Sequence, residues 1–502
     1  MNDSNSPSPS SPAPSWSITM LLGLALALLT AIVRWSYLAE SLWVDELHTA
    51  WVVTDSVTDI PQRAAMGNQA ALYFYLPWAF TQLAGLHEWS LRFPSFLGGL
   101  VAVALVTMTA HRWTHDAGIA LASGLVGVID VDWNFFGTEA RVYAVAQAIA
   151  ILQAIVAWQI LQHNQKRDWA YLVGLTVVNF YFHYSTLLFG LCLALAILIL
   201  ANDRATRIRL LVAASCVAAL CAISVPHLMT IFQRRENWAR FITADNPNEW
   251  LRWQTALAVL LPIGIAALLS WWWKRESQPG SEGKRIALVA FVLIVPIVVA
   301  WASTAGGVAA LFYGRYLISA ESTIPLLVAA LAAVVSPKWL RAGVLVVAVA
   351  IVWQWRMPTV LRSEDWQTIT QAVAADIEAN QSPTDVVISS GLIETDILLD
   401  EAATSPAWET YARLPIESLY ALPSHDGNDF GLTYSDAGQP TPRYLAESNP
   451  KARIVLLIRG GEAYADQVTA TLLQSLPNRQ YQIKKPETQT ALVQWRVLLP
   501  QN

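Results

Sequence analysis

Eleven stretches of this chain read as long and apolar enough to cross about 30 Å of hydrocarbon, and no other feature restricts the fold so severely. They lie near 16–38, 92–111, 117–133, 142–161, 169–182, 184–201, 208–231, 254–273, 286–303, 316–335 and 340–357. Lipid offers no partner to a backbone amide, so runs of this kind fold as helices. With 55% hydrophobic and only 14% charged residues among 502, the chain reads as a polytopic α-helical membrane protein that also has room for a soluble domain. Residues 1–15, rich in Ser, Pro and Asn, cannot bury enough apolar surface to fold and read as a disordered tail. The run at 16–38 lacks the basic start and cleavage site of a secretory signal and reads as a retained span.

Charge decides the orientation. The apolar segment 70–86 is interrupted by Pro77, and either spans or lies in the interface. With it in the interface, alternate loops collect the cations: Arg112; Lys166 and Arg167; Arg204, Arg207 and Arg209; Lys274, Arg275, Lys284 and Arg285; Lys338 and Arg341. Those loops are then cytoplasmic. Arg234, Arg235, Arg240 and Arg252 break the rule on an outer loop, which suits an anionic ligand or lipid. The net charge of -5 leaves no basic footprint for nucleic acid. Cys192, Cys216 and Cys221 lie in apolar runs without CxxC spacing and read as packing residues.

This topology predicts three parts: the tail, a membrane domain over 16–357 with a first outer loop at 40–91, and a small outer α/β domain over 358–502. In the last, 364–379 and 462–476 read as helices and 385–390 and 452–458 as buried strands. Gly460-Gly461 reads as a turn. The outer face receives Asp45 and Glu46, the stretch 130–143, a tight turn at His183, the loop 232–252 and Gly314-Arg315-Tyr316, so distant polar residues can meet there.

The pair Asp45-Glu46 follows the first span, where acids are too costly to be filler. An acid at the mouth of a span can serve as a general base, and Asp45 is the candidate; Glu46 points elsewhere on a helix and would orient an acceptor or the first carboxylate. An anionic group such as a phosphate needs cations or donors, for which Arg141, His183 and Arg315 are candidates. Glu139, Tyr143 and Tyr316 are candidates for contacts to a polar substrate or acceptor, and Trp43 for stacking on a substrate face. Asp45 and His48, three apart, can face a divalent metal or substrate, but two ligands do not define a metal site. Blander roles stand beside these. Asp45 can cap its helix, the arginines can snorkel or pair with Glu139, His183 can bond a turn carbonyl, and Asp130 and Asp132 can be solvated loop acids.

Ser41-Leu42-Trp43-Val44-Asp45-Glu46, the aromatic 72–75, Leu91-Arg92-Phe93-Pro94-Ser95, Glu139-Ala140-Arg141-Val142-Tyr143, the His183 turn and Arg315-Tyr316-Leu317 together resemble bacterial GT-C glycosyltransferases. In pattern they are similar to the protein O-mannosyltransferase-like enzymes of family 39 and the lipid A aminoarabinose transferases. The resemblance covers roughly the first 360 residues. It implies a GT-C fold with interfacial helices after the first span, a polyprenyl-phosphate-linked sugar as donor, and transfer at the outer face of the bacterial inner membrane, with the C-terminal domain periplasmic. It also implies that Asp45 carries the essential carboxylate. The aminoarabinose transferases have a Lys at the short turn, where this chain has His183.

The resulting expectation is an inverting glycosyltransferase that moves a sugar from lipid phosphate to a hydroxyl of a glycan, lipid A or a protein. The alternative from another class is a transporter or flippase of lipid-linked sugars. Transporters carry internal repeats and broken helices at the midplane. The chain repeats no half, and its polar residues gather on one face.

Overall fold

The structure is a computed structural model that describes residues 16–201, 203–234, 242–274, 281–356, 364–380, 382–389, 406–422, 452–476 and 480–501. The expected tail at 1–15, and Arg235, Arg240 and Arg275, lie outside the described residues.

The chain is a multi-span, mainly helical membrane protein. Among the described residues, seven helices are long and apolar enough to cross a bilayer: Trp16–Ala39, Glu88–Thr114, Tyr143–His163, Arg204–Gln233, Pro247–Trp273, Ser281–Ala305 and Gly314–Val334. The pair Ala117–Ile129 and Val131–Gly137 is apolar enough to count as one more span if taken together, and is bent by 64°. The bend has a local cause: Asp130 takes an extended conformation, ends the first helix and caps the second, accepting from the amides of Asp132 at 2.9 Å and Trp133 at 3.1 Å. The eleven expected spans are therefore not all reproduced at full length. The runs on either side of His183 form helices of only 17 and 15 residues, Lys166–Phe182 and Thr186–Leu200. The segment 70–86 forms a 3-10 turn, Leu72–Phe74, and a ten-residue helix, Tyr75–Ala84, with Pro77 tolerated in its first turn. At 1.5 Å per residue that helix is about 15 Å long, half a bilayer.

The chain divides into two compact units. The membrane unit joins Met1–Trp35 to Ser95–Thr359. Its core packs Val103, Val106, Val126, Ile151, Leu293 and Val328. Leu21, Ile32, Leu211 and Leu268 are exposed, as lipid-facing positions must be. Polar groups inside it are paired across helices: Gln153 Nε2 donates to Thr176 Oγ1 and Asn179 Nδ2 to Gln153 Oε1, each at 3.0 Å.

The second unit joins Ser36–Pro94 to Val360–Asn502. Its sheet has the order β1-β2-β4-β3, with β1 (Thr384–Ser389), β2 (Arg453–Arg459), β3 (Tyr481–Lys484) and β4 (Val493–Pro500). β1 and β2 run parallel, and β4 is antiparallel to both β2 and β3. The two expected strands and the helices Trp366–Asn380 and Glu462–Ser475 fall within two residues of their sequence positions. The inner face of the sheet packs Val387, Ile454, Leu456 and Leu498 against Ala465, Val468 and Leu472.

Candidate active site

In the second unit, Asp45 lies in the first turn of the helix Val44–Val53, whose N-cap is Trp43. The side chain of Glu46 reaches back to the cap, where it accepts from the Trp43 amide at 3.4 Å. Glu46 is fully buried against Arg92, whose Nε and Nη2 donate to its two oxygens at 2.7 and 2.6 Å. Arg92 also donates to the carbonyls of Leu38, Glu40 and Ser41 at 3.0, 2.5 and 3.1 Å. One guanidinium thus holds both the Glu46 carboxylate and the chain that leads into the Asp45 helix, using the planar fork that Lys lacks. Glu46, expected to orient the acceptor or the first carboxylate, is paired with Arg92 one residue after Asp45 on the same helical turn. Asp45 keeps part of its surface exposed.

Two further residues fasten the same turn. Glu364, 3% exposed, accepts from the Val44 amide at 3.0 Å while its other oxygen accepts from Arg459 Nε at 2.8 Å. The Tyr420 hydroxyl accepts from the Leu42 amide at 3.0 Å and bonds Ser41 Oγ at 3.3 Å. Burial pushes the Tyr420 phenol well above its ordinary range, so it stays protonated. Trp43 stays half-buried at the cap. His48, assigned from sequence to substrate or metal, is instead packed among Trp51, Phe74 and Tyr411, with ring centroids 5.7–5.9 Å away. Helical spacing put it on the face of Asp45, and the aromatic surroundings supplied by 72–74 and 411 were not visible at that range.

In the membrane unit the structure brings together Arg141, Tyr143, His183, Arg315 and Tyr316. The His183 ring lies 5.5 Å from that of Tyr143 and 5.9 Å from that of Tyr316. The Arg315 guanidinium lies over Tyr143 at 5.9 Å and over Tyr313 at 4.9 Å. Arg141 is buried, and its carbonyl accepts from Ser95 Oγ at 2.5 Å. Glu139, fully buried, lies two residues from Arg141, whose amide donates to its carbonyl at 2.7 Å.

His183 ends the helix Lys166–Phe182 in an extended conformation, and Nδ1 accepts from the Ser185 amide at 3.3 Å. Burial first, then the like charges of Arg141 and Arg315, pushes the imidazole down to about 3. His183 is therefore neutral, with its proton on Nε2: a hydrogen-bond donor and not a third cation.

In the same unit, Asp130, Asp132 and Glu321 bring carboxylate oxygens within 4.8 Å of one another, a set that can hold a metal ion. Arg252 already supplies positive charge there, donating to Asp132 at 2.9 Å.

Residues 68–229 match the family model described as dolichyl-phosphate-mannose-protein mannosyltransferase. That range contains Arg92, Glu139, Arg141, Tyr143 and His183, and lies between Asp45 and Arg315. The solved structure of ArnT from Cupriavidus metallidurans bound to undecaprenyl phosphate matches with a TM-score of 0.50 at 12% identity, over 96% of this chain and 98% of that one. The chain has the GT-C fold. ArnT from the same organism in the apo state matches over 96% and 98% of the two chains at 13% identity and a TM-score of 0.49. The arabinofuranosyltransferase AftD from Mycobacteria matches 97% of this chain with 40% of its own, at 13% identity and a TM-score of 0.49. No curated protein matches the chain by sequence.

Within this GT-C chain, Arg92, Glu364, Tyr420 and Arg252 were not singled out as site residues from sequence. Arg92 carried a signal, since an arginine two residues before a proline at the mouth of a span is costly without a partner. Glu364 and Tyr420 lie more than 300 residues from the turn they hold, and no local pattern links them to it.

Proposed function

We propose that this protein is a glycosyltransferase that moves a sugar from a polyprenyl-phosphate-linked donor to a hydroxyl acceptor on a glycan, lipid or protein, at the outer face of the inner membrane. The observation that carries the reading is the division of labour between adjacent acids: Glu46 is committed to Arg92, while Asp45 keeps an exposed surface on the helix that Arg92 anchors. Asp45 is the base. It takes the acceptor proton as the hydroxyl oxygen bonds the anomeric carbon from the face opposite the phosphate, and the configuration inverts. The carbon–oxygen bond to phosphate breaks, and phosphate leaves with the electron pair. A positioned carboxylate contributes roughly 10² to 10⁴ in rate to such a step.

The leaving phosphate gains charge, which needs fixed donors in a place shielded from water. Arg141 and Arg315 supply the charge, and neutral His183 with Tyr143 and Tyr316 supplies directed hydrogen bonds without adding repulsion between cations. Undecaprenyl phosphate is the ligand seen in the ArnT structure, which supports a lipid phosphate as the leaving group here. Trp43, near Asp45 at the cap, is the residue proposed for sugar stacking, and Glu139 is the second acid proposed for sugar or acceptor.

The test uses purified protein in lipid vesicles with labelled polyprenyl-phosphate sugars and an acceptor extract. The wild type releases sugar to acceptor, and Asp45→Asn binds donor but does not transfer. If the wild type moves donor between leaflets without cleaving it, the protein is a transporter and the enzyme reading is lost.

A further inference from the structure

Arg252, one of the outer-loop arginines that break the charge rule of the topology, has a defined destination in the membrane unit. It sits in the second turn of the helix Pro247–Lys274. Its Nη2 donates to Asp132 Oδ1 at 2.9 Å and its Nη1 to Glu321 Oε2 at 3.4 Å, with Nε 4.0 Å from Glu249 Oε2. One guanidinium therefore joins Val131–Gly137, Pro247–Lys274 and Gly314–Glu321. Glu321 is 1% exposed, so its carboxylate depends on this partner more than a surface acid would.

The same guanidinium lies against Gly314. A Cβ at 314 would fall on Nη1 and Cζ of Arg252. Gly314 is not among the positive-φ glycines, so what selects glycine here is space for the arginine and not an unusual backbone. Gly314 opens the helix whose next two residues are Arg315 and Tyr316.

We propose that Arg252 is a positioning residue for Arg315: by bracing Gly314 from one side and holding Glu321 at the far end of the same eight-residue helix, it sets the place of the Arg315 guanidinium over Tyr143 and Tyr313. Removing Arg252 takes away a guanidinium that bonds both Asp132 and Glu321, whose oxygens lie within 4.8 Å of one another, and so increases the repulsion between their helices. Lys cannot replace it, because a single ammonium does not reach two carboxylates on different helices in fixed geometry. The inference rests on the reading of Arg141 and Arg315 as the phosphate site.

The test is a double-mutant cycle on the binding of undecaprenyl phosphate to the full chain in lipid nanodiscs. Arg315→Met weakens binding by about tenfold or more, as expected for loss of a charge-assisted contact. Arg252→Met weakens it by about three- to tenfold alone and by nothing further in the Arg315→Met background, because its effect passes through Arg315. Gly314→Ala, which displaces the arginine without removing its charge, behaves as Arg252→Met. Additive losses would overturn the proposal, since Arg252 would then be touching the phosphate or merely supporting the fold. Hydrogen exchange of the 313–318 amides gives a readout independent of phosphate. Arg252→Met speeds exchange there, and unchanged exchange rejects the positioning role. If Arg315→Met leaves binding intact while exchange still responds, the phosphate reading fails and the positioning of Arg315 stands.

Discussion

At the scale of single residues, the candidate site depends on charges whose partners are fixed. Arg92 and Glu46 are both wholly buried, and a buried pair that loses one member leaves the other uncompensated. Arg92→Met is expected to destabilise the protein by about 3–5 kcal/mol, while Arg92→Met with Glu46→Met costs less than the single change. Thermal unfolding of the two variants checks this; a double variant less stable than the single would show that the pair is not the unit. His183 gives a prediction with a definite sign. Its folded value is about 3 and its unfolded value about 6.5, so above about 6.5 it adds no pH dependence. Between about 6.5 and 3 the unfolded chain binds a proton that the native state refuses, and stability is lost as the pH is lowered. Melting temperature against pH is therefore steeper for the wild type than for His183→Gln in that window, and equal slopes would refute a buried neutral imidazole.

At the scale of elements, the helix that carries Asp45 is held by groups from far along the chain. Glu364→Ala removes the acceptor for the Val44 amide, leaves Arg459 without its carboxylate, and is expected to lower transfer while donor binding is retained. Asp130 is a second such point: Asp130→Ala removes a cap worth about 0.5–2 kcal/mol at the bend, whereas Asp130→Asn keeps most of it, and thermal shifts should rank them so. What the sequence made legible follows the same logic. Long apolar runs, β1, β2 and the helices flanking them announce themselves through periodicity. β4 did not, because Gln494 and Arg496 interrupt its apolar run; both are buried, and Arg496 is satisfied by Asp466 at 3.1 Å, a partner on another element. The short helices around His183 read as spans because hydropathy measures composition, and their lengths fall below a full crossing. Asp45, Arg141 and Arg315 were legible as candidates because charge near lipid is rare, whereas the aromatic neighbours of His48 and the tertiary partners of Arg92, Glu364 and Arg252 lie far along the chain.

At the scale of the whole molecule, the segment after the first span and the C-terminal α/β part share one compact unit, Ser36–Pro94 with Val360–Asn502. Trp51 stacks on Tyr411 at 4.8 Å, and Leu42 bonds Tyr420, so neither part completes its core alone. Deleting the residues after 359 is therefore expected to unfold the Asp45 helix as well, abolishing transfer to every acceptor; a truncated protein that still transfers would contradict this. The most direct test of the account is single-turnover cleavage of a labelled polyprenyl-phosphate sugar by the wild type and by Asp45→Asn, with donor binding measured on the same samples. The account predicts intact binding and a rate lowered by roughly 10² to 10⁴ in the variant. A variant that transfers sugar at the wild-type rate would contradict it.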